Sequence, residues 1–125
     1  MMTQIDPGLA LVVDDHPEVL EVAGRMLEGI GYQVITATDF QHARDLLRTE
    51  AVRLLVTDVR LREFNGLQLA IEAGLDHTDV PIVIITGWSD PSLQAQAAQI
   101  RATLCTKPFT VTSLTEAVRA AVQLR

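Results

Sequence analysis

The sequence predicts an α/β protein in which a doubly wound, parallel, five-stranded sheet lies between two layers of helices. Short, continuously apolar segments alternate five times with segments whose apolar residues recur at helical spacing. Strands that are apolar along their whole length are typical of sheets covered on both faces. Strands joined by helices pair in parallel through right-handed crossovers. At 125 residues, the chain has the length of one domain, expected over residues 1–125 with a core from about residue 9 to 124.

The predicted strands share a short run of aliphatic or β-branched residues. They are Leu9–Val13, Gln33–Ala37, Leu54–Thr57, Ile82–Thr86 and Thr103–Thr106. The helices between and after them are predicted from apolar residues three or four positions apart. These stripes are Val19, Leu20, Ala23, Leu27 and Ile30; Phe40, Ala43, Leu46 and Leu47; Leu67, Ala70, Ile71 and Leu75; Leu93, Ala97 and Ile100; and Val111, Leu114, Val118, Ala121 and Val122.

Residues with terminal preferences mark where these helices begin and end. Pro17 and Pro91 suit a first helical turn, where the amide hydrogen that proline lacks would have no partner within the helix. Gly29 and Gly31 mark the end of the first helix. The side chains of four residues are expected to cap helix N-termini, namely Asp39, Asn65, Asp90 and Thr110.

The composition argues against several classes of protein. Apolar residues make up 48% and charged residues 21% of the chain, which is the balance of a folded domain. One cysteine, Cys105, excludes a disulfide framework and multi-cysteine metal sites and fits a reducing, cytoplasmic setting. A net charge of −6 argues against direct binding to nucleic acid. No apolar run approaches the roughly 20 residues that span a membrane, and the N-terminal residues do not resemble a signal peptide.

Groups that could carry chemistry lie at the ends of four predicted strands. Asp14 and Asp15 follow the first strand, Asp58 follows the third, Thr86 ends the fourth and Lys107 follows the fifth. Open parallel sheets bind ligands at the carboxyl ends of their strands, near the point where the strand order reverses. If the first strand is central and the third, fourth and fifth lie near it, all five side chains meet at one rim.

Three carboxylates at one rim repel one another unless a cation lies between them. Mg²⁺ meets this requirement, because it takes one or two carboxylates, several waters and a phosphate oxygen. Lys107 offers a positive charge and Thr86 a hydroxyl to phosphoryl oxygens, and Asp58 could act as a nucleophile that forms an acyl phosphate. The cluster therefore predicts a Mg²⁺ site that supports phosphoryl transfer.

Several segments together resemble the receiver domain of bacterial two-component response regulators. They are Leu9–Pro17 (LALVVDDHP), Thr57–Leu61 (TDVRL) with Asn65 and Gly66, Ile84–Gly87 (IITG) and Lys107–Phe109 (KPF). The resemblance covers nearly the whole chain with the family's spacing, and it implies the family's flavodoxin-like topology.

By this resemblance, Asp58 is the phosphoacceptor of a phosphorelay. Asp14 and Asp15 are the acidic pair that holds Mg²⁺, Asp15 directly and Asp14 largely through water. The backbone carbonyl of Arg60 completes the protein ligands. The domain would be a switch that assists its own phosphorylation and dephosphorylation, and not an enzyme that turns over a small substrate.

The resemblance also implies how the switch would work. A histidine kinase or phosphotransfer domain would donate the phosphoryl group, Thr86 would move towards it, and Lys107 would bridge Asp58 and later the phosphoryl oxygens. The Lys107–Pro108 bond would be cis. The new charge would change the face of the fourth and fifth helices, which would address a downstream protein or fused domain outside this chain or a second copy.

Three positions depart from the family's pattern. Leu104 replaces the aromatic residue that often lies three positions before the lysine, so an aromatic relay is in question. Arg62 replaces a common proline, so the loop after Asp58 is less restrained and carries Arg60 and Arg62, which could contact the phosphoryl group or block water. Trp88 could lie over the mouth of the site and influence the access of phosphodonors or water.

Other functions remain open from the sequence. The missing aromatic and the altered loop fit a receiver-like interaction module that works without phosphorylation, although the intact acidic, threonine and lysine set argues against it. An aspartyl phosphohydrolase usually needs an acid where this chain has Arg60. His16, His42 and His77 show no metal-like spacing, although His16 adjoins the acidic pair and could cap the first helix. Little chain follows Leu124, so we expect no fused output domain within this sequence.

Overall fold

The computed structural model describes residues 7–61, 65–76 and 79–125. Within these ranges, strands and helices alternate along the chain as the sequence predicts. In order, the elements are β1 (Leu9–Val13), α1 (Pro17–Gly29), β2 (Gln33–Ala37), α2 (Phe40–Thr49), β3 (Val52–Asp58), α3 (Gly66–Asp76), β4 (Ile82–Thr86), α4 (Pro91–Gln99), β5 (Ala102–Thr106) and α5 (Val111–Gln123). None of the helices in the described part of the chain has the length and apolar character needed to cross a membrane.

The five strands form one parallel sheet in the order β2-β1-β3-β4-β5. This arrangement confirms the α/β prediction and makes β1 an interior strand. The chain leaves β1 towards β2 on one side and returns to β3 on the other, so the strand order reverses between β1 and β3. The crevice at the carboxyl ends of these two strands is where such a sheet offers a binding site.

Two apolar clusters lie on opposite faces of the sheet. On one face, Leu11, Leu55 and Ile84 pack with residues of α2, α3 and α4. On the other face, Leu54 and Val83 pack with residues of α1 and α5. Burying a large aliphatic side chain contributes about 1.5–3 kcal/mol to the free energy of folding. The central strands, which are covered on both faces, are therefore held firmly in place beneath the crevice.

The predicted helix ends are present. Pro17 and Pro91 are the first residues of α1 and α4, and α1 ends at Gly29, with Gly31 at a φ of +107°. The four predicted caps all accept a hydrogen bond from a backbone N–H in the first turn. The pairs are Asp39 with His42, Asn65 with Leu67, Asp90 with Leu93 and Thr110 with Ser113, at 2.8, 2.8, 2.7 and 3.0 Å.

Three residues predicted in the apolar stripes are exposed instead. Leu75, Val111 and Val122 expose 74%, 54% and 45% of their surfaces. Leu75 comes two positions after the buried Ala73, which places it about 200° further around α3, on the side away from the sheet. Val111 and Val122 lie at the two ends of α5, beyond the four buried positions that contact the sheet. The apolar pattern therefore overstated the buried face of α3 and α5.

The start of α3 lies directly against the end of β3. A Cβ atom added to Gly66 would overlap the backbone carbonyl oxygen of Asp58, and it would lie 3.1 Å from Thr57 Oγ1. The backbone N–H of Gly66 donates a hydrogen bond to the carbonyl of Val59 at 2.8 Å. Only glycine permits this approach, which sets the course of the loop after Asp58.

We expect Gly66→Ala to lower the free energy of unfolding by at least about 1–3 kcal/mol, because the added methyl group meets backbone that cannot rotate away. Urea denaturation followed by circular dichroism measures the change. The matched control is Gly29→Ala, since a Cβ at Gly29 has no neighbouring atom within 4 Å. That control should keep or slightly raise the stability, because alanine favours a helix. Equal stability of Gly66→Ala and wild type would contradict the packing described here.

Candidate functional site

The carboxyl ends of the strands open onto a cavity of about 900 Å³. Its walls include the predicted site residues Asp15, Asp58, Arg60, Thr86 and Lys107. They reach it from the ends of β1, β3, β4 and β5. The structure thus brings together residues that are up to 92 positions apart in the sequence.

Lys107 joins two buried carboxylates at the centre of this cluster. Its Nζ donates a hydrogen bond to Asp58 Oδ2 at 2.8 Å and lies 3.5 Å from Asp14 Oδ2. The side chains of Asp14 and Asp58 expose only 2% and 8% of their surfaces. The backbone N–H of Lys107 donates to the carbonyl of Thr86 at 2.8 Å, which ties the loop after β5 to the end of β4. One ammonium group therefore faces two carboxylates that water barely reaches.

The electrostatics of the cluster follow from this burial. The pKa of Asp14 is raised, first by burial and then by the negative charge of Asp58, although a hydrogen bond from His16 and the charge of Lys107 oppose the shift. Partial burial alone would lower the pKa of Lys107. Its hydrogen bond and ion pair with Asp58 outweigh burial, with help from Asp14, so that the pKa is raised. Lys107 therefore remains charged at neutral pH.

Asp15 and His16 form the outer edge of the cluster. Asp15 Oδ1 is buried and accepts no hydrogen bond from any described residue, although His16 Nδ1 lies 3.0 Å away. The His16 ring lies 3.1 Å from Asp14 Oδ1, and its backbone N–H donates to the same oxygen at 2.9 Å. The hydrogen bond with Asp14 and the charge of Asp15 raise the pKa of His16.

The prediction that His16 could cap the first helix is confirmed for its position but not for a capping hydrogen bond from its side chain. His16 occupies the N-cap position of α1, but its ring makes no capping hydrogen bond. An N-cap side chain must accept a hydrogen bond from a helix N–H. The His16 ring instead turns back to the carboxylate of Asp14.

Thr86 is held by the loop that follows it. Its hydroxyl donates to the carbonyl of Trp88 at 2.7 Å and accepts from the N–H of Trp88 at 3.1 Å. The Thr86 residue is 1% exposed, whereas Trp88 is 75% exposed and lines the cavity. Any movement of the Thr86 hydroxyl towards Asp58 must therefore break both contacts with Trp88.

A family model for the response regulator receiver domain matches residues 10–119. The chain belongs to the response regulator receiver family. The transcriptional regulatory protein GlrR of Escherichia coli K12 is 32% identical over 118 residues, which are 94% of this chain and 27% of that protein. The receiver chain thus spans about a quarter of the length of GlrR and of the response regulator protein PilR of Pseudomonas aeruginosa.

Solved receiver structures share the fold. The chemotaxis response regulator CheY4 of Vibrio cholerae superposes with a TM-score of 0.82 at 21% identity, covering 91% of this chain and 98% of that one. A response regulator of Burkholderia pseudomallei, solved with a phosphorylated aspartic acid, a calcium ion and citrate, gives a TM-score of 0.82 at 26% identity. That match covers 93% of this receiver chain and 69% of the Burkholderia chain.

The structure shows where several other residues singled out in the sequence lie. Leu104 is half-buried and packs against one apolar cluster. Cys105 beside it is buried, as predicted, and burial raises the pKa of its thiol, although a hydrogen bond with Ser113 opposes the shift. The Lys107–Pro108 bond is cis, as predicted. Arg62 and His77 lie outside the described residues.

The receiver's residues fit a hard divalent cation. Asp15 offers a buried carboxylate oxygen that lacks a hydrogen-bond donor among the described residues. Asp58 Oδ1 accepts the backbone N–H of Arg60 at 3.1 Å, which places the Arg60 backbone beside the same carboxylate. Carboxylate and carbonyl oxygens are the ligands that Mg²⁺ prefers.

Sequence reasoning missed one wall of the cavity. The first turns of α4 contribute Ser92, Leu93 and Gln96 to its lining. Their position shortly after the cap Asp90 was the available signal, because a helix that follows a strand end starts at the same rim. The cavity therefore extends from the carboxylates towards α4.

Asp14→Asn should stabilise the metal-free protein at neutral pH by on the order of 1 kcal/mol, a few degrees in Tm, because it removes a buried charge. The raised folded pKa of Asp14 means that ionisation costs stability above that pKa. The advantage of the variant should therefore shrink as pH falls through the raised pKa towards the ordinary value of 3.8. Thermal unfolding across pH in a chelator measures it.

The control for this comparison is Glu116→Gln, which removes a charge from an exposed position of α5. That variant should show only a small change in Tm, because the side chain it alters is exposed. A Tm for Asp14→Asn below that of wild type at neutral pH would show that the ionised carboxylate is stabilised by Lys107 more than burial costs.

Proposed function

We propose that this receiver accepts a phosphoryl group on Asp58 in a Mg²⁺-dependent reaction and thereby switches a protein-interaction surface. The observation that carries the proposal is the position of Asp58, hydrogen-bonded to Lys107 at 2.8 Å within an open cavity that it shares with Asp15 and Thr86. Membership of the receiver family supports it. We further propose that residues 1–125 form a single receiver domain that works in the cytoplasm.

Asp58 has the properties of a carboxylate nucleophile. Lys107 holds one of its oxygens and the Arg60 backbone N–H holds the other, so the group is fixed at the cavity wall. In the proposed step, an Asp58 oxygen bonds to phosphorus while the bond from phosphorus to the donor's imidazole nitrogen breaks, and that nitrogen keeps the electron pair. Lys107 then balances charge on the phosphoryl oxygens.

Asp15, Asp58 and the backbone carbonyl of Arg60 would hold the ion directly, and Asp14 would act largely through water. When bound, Mg²⁺ supplies positive charge shared between the carboxylates and the phosphoryl oxygens. The Burkholderia relative, whose structure has a phosphorylated aspartic acid and a calcium ion, supports this assignment by analogy.

Thr86 would couple the new charge to the surface. To donate a hydrogen bond to the phosphoryl group, its hydroxyl must leave Trp88 and so release the loop between β4 and α4. We propose that this biases a two-state change in the loops after β4 and β5 and in the face made by α4 and α5. The partners would be a histidine kinase or phosphotransfer domain as donor, and a downstream protein, a fused domain or a second copy as target.

An interaction module that works without phosphorylation is not favoured. Leu104 and the altered loop after Asp58 suggested it in the sequence, but a complete set of acidic, threonine and lysine side chains meets at one rim. The proposed role is stoichiometric, because each domain would take up one phosphoryl group and pass on a change of state.

Incubation with a small acyl-phosphate donor and Mg²⁺ should add one phosphoryl group to the wild-type chain, as read from its intact mass. The adduct should be absent in Asp58→Asn, because an amide cannot form the acyl phosphate. Asp45→Asn is the matched control, since Asp45 is an exposed residue of α2. Omitting Mg²⁺ should greatly reduce the yield. The absence of an adduct at saturating donor would favour the phosphorylation-independent module.

Arg60→Ala and Trp88→Ala should each speed the loss of the phosphoryl group several-fold, which corresponds to about 1 kcal/mol in activation free energy. Both side chains line the cavity through which water must approach. The rate is measured by intact mass after the donor is removed. Arg119→Ala, an exposed arginine of α5, is the control and should decay at the wild-type rate. An unchanged rate of phosphoryl loss in either variant would show that the substituted side chain does not limit the approach of water.

A further inference from the structure

The imidazole of His16 lies beside both carboxylates of the acidic pair. Its Nδ1 is 3.1 Å from Asp14 Oδ1 and 3.0 Å from Asp15 Oδ1. One ligand atom from each of these three residues lies within 4.8 Å of the others. Among the described residues, this is the one group of three or more histidine, cysteine and acidic side chains with such spacing.

These separations match neighbouring ligands of an octahedral ion. Ligand atoms about 2.1 Å from an ion and at right angles to each other lie about 3.0 Å apart. The His16 nitrogen has this separation from both carboxylate oxygens. A small displacement of the ring would therefore let one ion contact the imidazole and a carboxylate together.

The Nδ1 atom of His16 carries at most one hydrogen, so it can donate a hydrogen bond to only one of the two carboxylate oxygens that face it. The His16 ring is hydrogen-bonded to Asp14 Oδ1, whereas Asp15 Oδ1 is buried and has no hydrogen-bond donor among the described residues. A cation between Nδ1 and the Asp15 oxygen would give that oxygen a partner and would replace the hydrogen bond between Nδ1 and Asp14. The His16 side chain is 60% exposed, so its ring can turn towards an ion without disturbing the core.

The chemical type of the ligand atoms determines which metal ions a site binds more tightly. Oxygen ligands alone suit Mg²⁺, whereas imidazole nitrogen strengthens the binding of first-row transition ions, increasingly from Mn²⁺ to Ni²⁺. We propose that His16 is an additional ligand of this receiver's metal site and raises its affinity for divalent transition ions relative to Mg²⁺. The inference rests on the proposed function in one respect, namely that Asp15 belongs to the metal site.

Calorimetric titration of the untagged chain with Mg²⁺ alone and with Ni²⁺ alone tests the proposal. In His16→Gln, the affinity for Ni²⁺ should fall by roughly tenfold or more, whereas the affinity for Mg²⁺ should change much less. His42→Gln is the matched control, because His42 lies in the first turn of α2, where Asp39 caps its backbone N–H. That control should retain the wild-type affinities for both ions.

A spectroscopic measurement separates ligation from simple charge effects. The wild-type chain loaded with Co²⁺ should show a paramagnetically shifted imidazole proton signal that is absent in His16→Gln and present in His42→Gln. Two results would overturn the proposal: unchanged Ni²⁺ affinity in His16→Gln, or a rise in affinity for both ions, which would mean that the ring competes with the metal. Failure of Mg²⁺ to bind the wild type, or equal binding by Asp15→Asn, would instead contradict the proposed function.

Discussion

The site depends on one electrostatic constraint, which is that the single positive charge of Lys107 faces more than one buried carboxylate. One ammonium group contacts Asp58 directly and Asp14 more distantly, and both carboxylates are almost shielded from water. Asp15 adds a third acid, whose buried Oδ1 accepts no hydrogen bond from a described residue and lies 3.0 Å from the His16 ring. Like charges this close raise one another's pKa unless a cation is added. The pKa of Asp14 is raised first by burial and further by the charge of Asp58, and a divalent ion beside these carboxylates would relieve the repulsion.

The rest of the fold tolerates this unfavourable cluster and holds it in place. Apolar side chains cover both faces of β3 and β4, so the strands that carry Asp58 and Thr86 cannot shift to separate the charges. Gly66 lets α3 begin against the carbonyl of Asp58, and this contact restrains the backbone of the acidic residue itself. Stability gained in the two apolar clusters therefore offsets the cost of buried charge at the rim, which leaves the carboxylates available for chemistry.

The features of the fold that could be predicted from the sequence are those that neighbouring residues determine. The order and approximate positions of the strands and helices and the four caps were correct because β-branched runs, helical spacing and capping side chains act over a few residues. The bounds were too narrow for β3, which runs over Val52–Asp58 and not Leu54–Thr57, and for β5, which begins one residue before Thr103. The strand order and the meeting of Asp14, Asp58 and Lys107 depend on distant pairing, so they followed from a topological rule and from the family resemblance. Leu75 was misplaced because an apolar side chain need not face the core. The need for glycine at position 66 arises where α3 meets β3, and no local pattern reveals such a contact.

The absence of an aromatic residue at Leu104 changes how a signal could leave the site. Leu104 is a half-buried aliphatic residue within an apolar cluster, so it offers no large polar-tipped ring that could exchange an exposed and a buried position. Thr86 instead contacts both backbone groups of Trp88, whose indole is largely exposed at the cavity mouth. In the proposed switch, withdrawal of the Thr86 hydroxyl frees the Trp88 backbone. The loop between β4 and α4 would then carry the change of state to a partner. The side chain of Trp88, which is largely exposed in this loop, is the one best placed to contact that partner.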